Sequence, residues 1–265
     1  MISPPALAAV LDDAVTGVTA VPQLTHSAPI TLDDAYAIQR AGIERRTARG
    51  DAVVGVKLGL TSRAKAEQMG VSDVIVGVLT ESMRVPAGGR LDTTTLIHPR
   101  VEPEIAFRLG SAIDPDDPAC DPLAAVAGIA PALEIIDSRY RDFRFSLPDV
   151  VADNTSAAGF VIGDWQPADE VLGRLDVADL AVTLGIDGEI VESGSTGAIL
   201  GDPLEALGAV TRMAARYGPA LPAGTIVLAG AATAAAALPT GNGTTVTAEV
   251  AGLGTVTFET GGAAA

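Results

Sequence analysis

Short runs of β-branched and other apolar residues, cut every few positions by Gly or Pro, constrain this chain more than any other feature. Such runs fall at residues 53–58, 74–79, 101–109, 132–137, 158–162, 180–186 and 190–193, and the stretch 225–260 alternates in the same manner. An apolar run of four to eight residues bounded by turn residues reads as a strand. Asp187-Gly188, between the last two runs, is a tight-hairpin pair because both residues tolerate left-handed backbone. Helical spacing is rarer. It covers residues 5–18, then a segment capped by Thr31 and ending near Gly50, with Asp34 completing a near capping box. A short helix is expected over 63–69, capped by Ser62 and stopped by Gly70. Another is expected to start at Asp202-Pro203-Leu204-Glu205 and stop at Gly218. Strands and helices do not alternate regularly, which argues against a doubly wound parallel sheet and for an α+β fold. The expected organisation is an N-terminal helical cap, residues 1–50, on a β-rich body, residues 51–265.

Charge narrows the function. The chain has 33 acidic against 17 basic residues, a net charge of -16, and only 3% aromatic residues. Such a surface repels phosphate backbones and offers few stacking platforms, so no nucleic acid is expected as a partner. No apolar run is long enough to span a bilayer, so no membrane partner is expected. The opening Met1-Ile2-Ser3-Pro4-Pro5 lacks the basic start and apolar stretch of a signal peptide. Cys120 is the single cysteine. A cytoplasmic location is therefore expected.

Chemistry concentrates in three segments. In His98-Pro99-Arg100-Val101-Glu102-Pro103-Glu104-Ile105-Ala106-Phe107, strand alternation puts Val101, Pro103, Ile105 and Phe107 on one face. Glu102 and Glu104 share the other, with backbone positions about 6.6 Å apart. A third carboxylate, Glu134, sits in the apolar run Ala132-Leu133-Glu134-Ile135-Ile136-Asp137, where a lone buried charge is costly. Three carboxylates without a His or Cys cluster describe an oxygen-only site for Mg²⁺ or Mn²⁺. The same pattern also describes a solvated strand face plus a glutamate paired to a buried arginine, and both readings stand at this point. Lys57, before Gly59, either draws its ammonium into a cleft for proton or enolate chemistry or snorkels to solvent. Arg139 either pairs with Asp137, Asp142 or Asp153 or binds a substrate carboxylate. His26 and His98 are isolated.

Taken jointly, Lys57-Leu58-Gly59-Leu60-Thr61-Ser62, Val101–Phe107, Leu133–Arg139, Val151-Ala152-Asp153-Asn154 and Gly197–Pro203 resemble the 2-keto-4-pentenoate hydratase/4-oxalocrotonate decarboxylase family of the fumarylacetoacetate hydrolase superfamily. The resemblance covers nearly the whole chain and implies a fumarylacetoacetate hydrolase-like mixed β-roll body with an N-terminal helical cap. It implies Glu102, Glu104 and Glu134 as ligands of Mg²⁺ (Mn²⁺ as the alternative) and Lys57 as the catalytic residue. Leu60, Ser62, Met69, Ile75, Arg139 and Ser156 are implied to line a small 2-oxo acid substrate. The hydratases of the family carry an Asp where Ile75 stands, so the resemblance favours the decarboxylase branch. The implied reaction converts 2-oxo-3-hexenedioate to 2-hydroxypenta-2,4-dienoate and CO2. Hydration of that dienoate, or a non-catalytic role beside a partner hydratase, are the alternatives. A homo-oligomer and a complex with a hydratase are the implied assemblies.

Overall fold

Two helices open the chain: α1 (Pro4–Thr16) and α2 (Leu32–Ala48). The computed structural model describes residues 3–62, 73–241 and 243–262. Prolines in the first turn of α1 stand where no amide donor is needed. α2 begins at the expected cap. The Thr31 hydroxyl accepts from the Asp34 amide and the Asp34 carboxylate accepts from the Thr31 amide, satisfying two otherwise free N–H groups. The helix expected over 63–69 lies outside the described residues.

The strands are β1 (Val53–Gly59), β2 (Ile75–Thr80), β3 (Arg90–Asp92), β4 (Arg100–Leu109), β5 (Val126–Ile136), β6 (Ala157–Ile162), β7 (Gln166–Pro167), β8 (Ala181–Ile186), β9 (Glu189–Ser195), β10 (Ile226–Ala231), β11 (Ala236–Ala237), β12 (Thr245–Val250) and β13 (Gly254–Gly261). They make two sheets. The larger runs β2-β1-β10-β4-β5-β6, with β11 added to β4 and β7 to β5; the smaller runs β3-β13-β12-β8-β9. The β8–β9 hairpin turns at Asp187 and Gly188, whose φ angles of 52° and 82° are the left-handed values the pair was expected to supply.

Alternation decides what each face of the larger sheet touches. Val101, Leu133, Ile135 and Val161 pack against Leu184, Val246, Ala248, Val256 and Phe258 of the smaller sheet. Ile105 and Phe107, with Val56 and Leu58 of β1, share a core with Ile38 of α2 and with α3 (Leu147–Ala152) and α5 (Glu205–Tyr217). The opposite face carries Ala106, Ala132, Phe160 and Leu228. This third cluster surrounds the functional site. Burying one such large side chain contributes about 1.5–3 kcal/mol.

Three expectations need correction. The strand expected over 132–137 starts earlier and runs Val126–Ile136. α5 starts at Glu205 rather than at Pro203, although the Asp202 carboxylate still accepts from the Leu204 amide at 2.8 Å. α3 and a further helix, α4 (Ala168–Arg174), were not expected from spacing, because neither is long enough to display a period.

Candidate active site

The site is built on the β4–β5 pair. Glu102 lies directly opposite Glu134 across the ladder, and Glu104 lies opposite Ala132, so pleating places all three carboxylates on one face. Ala106 and Ala132 keep that face shallow beside them. Pro103, between the two glutamates of β4, has no amide to offer the ladder. The neighbouring strand β10 shifts register there, at Gly230, whose φ is 114°. Within this irregularity the Gly230 amide points inward and donates to Glu104 Oε2 at 2.8 Å, a hydrogen bond that orients the carboxylate.

Both faces of β4 are buried through this stretch, which overturns the solvated-face reading. Glu102 is 7% exposed, and Glu104 and Glu134 are 0% exposed. One oxygen from each of the three lies within 4.8 Å of the other two. Burial foremost, together with the charge of the neighbouring glutamates, pushes Glu134 up to about 7 and holds Glu104 well above the usual carboxylate range.

Lys57 enters the same face from β1. It is 3% exposed, which overturns the snorkelling reading. Its Nζ lies 3.0 Å from Glu134 Oε1 and donates to the Thr155 carbonyl at 3.1 Å. Burial works to lower the pKa of the ammonium; the attraction of Glu134, then Glu104 and Glu102, outweighs it and leaves the pKa raised. The lysine is therefore a charged donor.

Among the described residues the three carboxylates face one ammonium, and crowding in a buried site is what raises Glu104 and Glu134. Glu104 Oε1 and Glu134 Oε2 accept no hydrogen bond among the described residues. Orphaned anionic oxygens are costly inside a protein unless a cation meets them. One hard divalent cation meets these oxygens and uses the oxygen-only donor set, so the residues present fit Mg²⁺ or Mn²⁺.

Residues 56–259 match the sequence family described as fumarylacetoacetate (FAA) hydrolase C-terminal. The chain belongs to that family. Within the fumarylacetoacetate hydrolase family it is 50% identical to a 4-oxalocrotonate decarboxylase of Pseudomonas sp, over 95% of this chain and 96% of that one. It is 39% identical to a 2-keto-4-pentenoate hydratase of Paraburkholderia phymatum, over 84% of this chain and 83% of that one. The solved structure of 4-oxalocrotonate decarboxylase from Pseudomonas putida G7, complexed with magnesium and adipate, superimposes with a TM-score of 0.91 at 36% identity, over 98% of this chain and 99% of that one. No helix among the described residues is long and apolar enough to cross a membrane.

The remaining expected residues of this fumarylacetoacetate hydrolase family member fall as follows. Ile75 is buried on β2, on the side that faces Lys57 across the β1–β2 ladder. Leu60 is half-buried with a φ of 59°, at the turn leaving β1, and Ser62 follows it. Ser156 is buried and its hydroxyl has no hydrogen-bond partner among the described residues. Met69 lies outside the described residues. Arg139 takes the structural of its two readings. Its Nε donates to the Asp153 carboxylate, and its other nitrogens donate to the carbonyls of Asp153 and Ala157. Engagement of the guanidinium on both edges supports the pairing reading. Sequence reasoning missed Thr155, whose carbonyl accepts from Lys57, and Gly230, whose amide donates to Glu104. A glycine in an otherwise apolar strand, Gly230 within Ile226–Ala231, was the available signal for a bulge there.

Proposed function

We propose that this chain decarboxylates 2-oxo-3-hexenedioate (4-oxalocrotonate) to 2-hydroxypenta-2,4-dienoate and CO2. Glu102, Glu104 and Glu134 are the ligands of one Mg²⁺, with Mn²⁺ as the alternative, and Lys57 is the catalytic residue. The observation that carries this reading is the buried carboxylate triad, its oxygens within 4.8 Å of one another, with the charged Lys57 on its edge. The decarboxylase relative, 50% identical over 95% of the chain, supports the choice of reaction. So does the ligand pair of the solved decarboxylase, magnesium and adipate. Adipate is a six-carbon dicarboxylate, like the proposed substrate.

When bound, the cation supplies Lewis-acid charge where negative charge develops on the 2-oxo acid. The bond from the far carboxyl group to the chain breaks, CO2 leaves, and the electron pair moves through the conjugated double bond to the keto oxygen. Lys57 places a positive charge beside that end of the substrate and donates the proton that completes the 2-hydroxydienoate. Leu60, Ser62, Met69, Ile75 and Ser156 line the substrate. Ile75 gives the developing dienolate an apolar wall and leaves no carboxylate there to activate water, which favours decarboxylation over hydration. A partner hydratase would consume the dienoate.

The test supplies Mg²⁺ and follows two reactions. The protein should release CO2 from 2-oxo-3-hexenedioate and barely form 4-hydroxy-2-oxopentanoate from purified dienoate. Fast formation of the hydroxy acid would put a hydratase in place of the decarboxylase, and failure of both reactions would leave a non-catalytic subunit.

A further inference from the structure

Between α3 and β6 the chain makes a turn that sequence pattern does not announce. Asn154, Thr155 and Ser156 have φ angles of 51°, 56° and 57°, three consecutive left-handed residues without a glycine. For a β-branched residue such as Thr155 this is a true outlier, and it persists only where the surroundings over-determine it. The surroundings here are specific. β2 is the edge of the larger sheet, and the Asn154 side chain closes that edge like a strand partner. The Val78 amide donates to Asn154 Oδ1 at 2.8 Å, and Asn154 Nδ2 donates to the Val78 carbonyl at 2.8 Å. Two glycines make room for the turn. A methyl group at Gly77 would lie 2.7 Å from the Asn154 carbonyl oxygen and 3.0 Å from Lys57 Cδ; one at Gly59 would lie 2.8 Å from Thr155 Cγ2. The product of this arrangement is a buried, inward-facing carbonyl, that of Thr155, which receives the Lys57 ammonium at 3.1 Å.

We propose that Asn154 is a positioning residue for the reaction: by clasping β2 it holds the left-handed turn whose Thr155 carbonyl aims the Lys57 ammonium into the carboxylate site. Without that acceptor, Glu134 is the remaining partner of Lys57 among the described residues, and the ammonium can swing with it. The inference rests on the reading of Lys57 as the catalytic residue, and the experiment separates the two.

The experiment is a double-mutant cycle on the Mg²⁺-loaded enzyme. Asn154→Ala removes the clasp, and Asn154→Gly removes it while relieving the left-handed strain, so a folding defect in the first leaves the second informative. Each should lower kcat by on the order of 10–10²-fold, the usual cost of misplacing a catalytic group by about an ångström. KM and the Mg²⁺ concentration for half-activation should stay within about twofold. In a Lys57→Ala background neither substitution should lower kcat further, because the two residues act as one unit. Full additivity in that background, or a fall in thermal stability with kcat unchanged, would overturn the inference and leave Asn154 as an edge clip. Near-normal turnover by Lys57→Ala alone would overturn the functional reading, and the inference with it.

Discussion

Two charge clusters are buried, one on the face of the large sheet and one between the loop after β5 and the end of α3, and they differ in one respect. Arg139 and Asp153 balance each other. The guanidinium meets the carboxylate and two carbonyls, the Arg139 amide donates to the second Asp153 oxygen at 3.0 Å, and neither side chain leaves a buried atom unpaired. Burial still pushes Asp153 up to about 6, against the pull of Arg139. The Lys57 cluster gathers three carboxylates and, among the described residues, leaves oxygens of Glu104 and Glu134 without hydrogen bonds. Fully paired groups mark a place that holds the fold; unmet carboxylate oxygens mark a place that takes a ligand. A substitution in the first cluster should therefore be read in stability, and one in the second in turnover.

The sharpest contrast comes from the two cations. Lys57→Ala should lower kcat by about 10²–10⁴-fold, the range for losing a placed acid–base group, with little change in metal affinity. Steady-state kinetics at saturating Mg²⁺ would show it, and a variant with near-normal kcat would break the comparison. Arg139→Ala should destabilise the chain by about 3–5 kcal/mol, because it strands the Asp153 carboxylate in the interior. Urea denaturation measures that loss. A midpoint equal to that of the parent would remove the structural role assigned to the pair.

Acidity sharpens the comparison further. The Glu134 carboxyl, at about 7 in the folded chain against 4.5 in the unfolded one, stays protonated where the unfolded chain has already released its proton. The folded state therefore binds more protons between about pH 4.5 and 7, and metal-free stability must fall as pH rises through that window. Glu104 and Asp153, both raised, act with the same sign. Denaturation midpoints of chelator-treated protein at pH 5 and pH 7.5 should show the decline, and Mg²⁺ should suppress it at the higher pH. A midpoint that rose with pH in the chelated protein would contradict the raised carboxyls. The smallest expected effect is that of Glu104→Gln. At a pH high enough to ionise the cluster, removing one like charge should raise the metal-free melting temperature by about 2–4 °C, the shift about 1 kcal/mol produces at this size. The same variant should lose the thermal response to Mg²⁺.

Much of this was legible beforehand. Period-two alternation around Pro103 put Glu102 and Glu104 on one face, and that inference needed only the pleat. What alternation cannot say is whether the other face is wet. β4 is buried on both sides, so the solvated reading failed, and only the tertiary packing of Ala106, Ala132 and Phe160 decides it. Lys57 was ambiguous for the same reason, since its partners Glu134 and Thr155 lie far along the chain. Asn154 to Ser156 was opaque for a different one. A left-handed turn normally announces itself with glycine, and here the glycines stand opposite, at positions 59 and 77, making room for the turn.

The claim that everything else leans on is that Glu102, Glu104 and Glu134 hold one divalent cation. Crystals soaked in Mn²⁺ and measured near the manganese absorption edge test it most directly. A single anomalous peak should appear among the three carboxylates, bonded through oxygen, with Lys57 outside the coordination sphere. A map with no peak among these carboxylates, or with Lys57 as a ligand, would contradict the account.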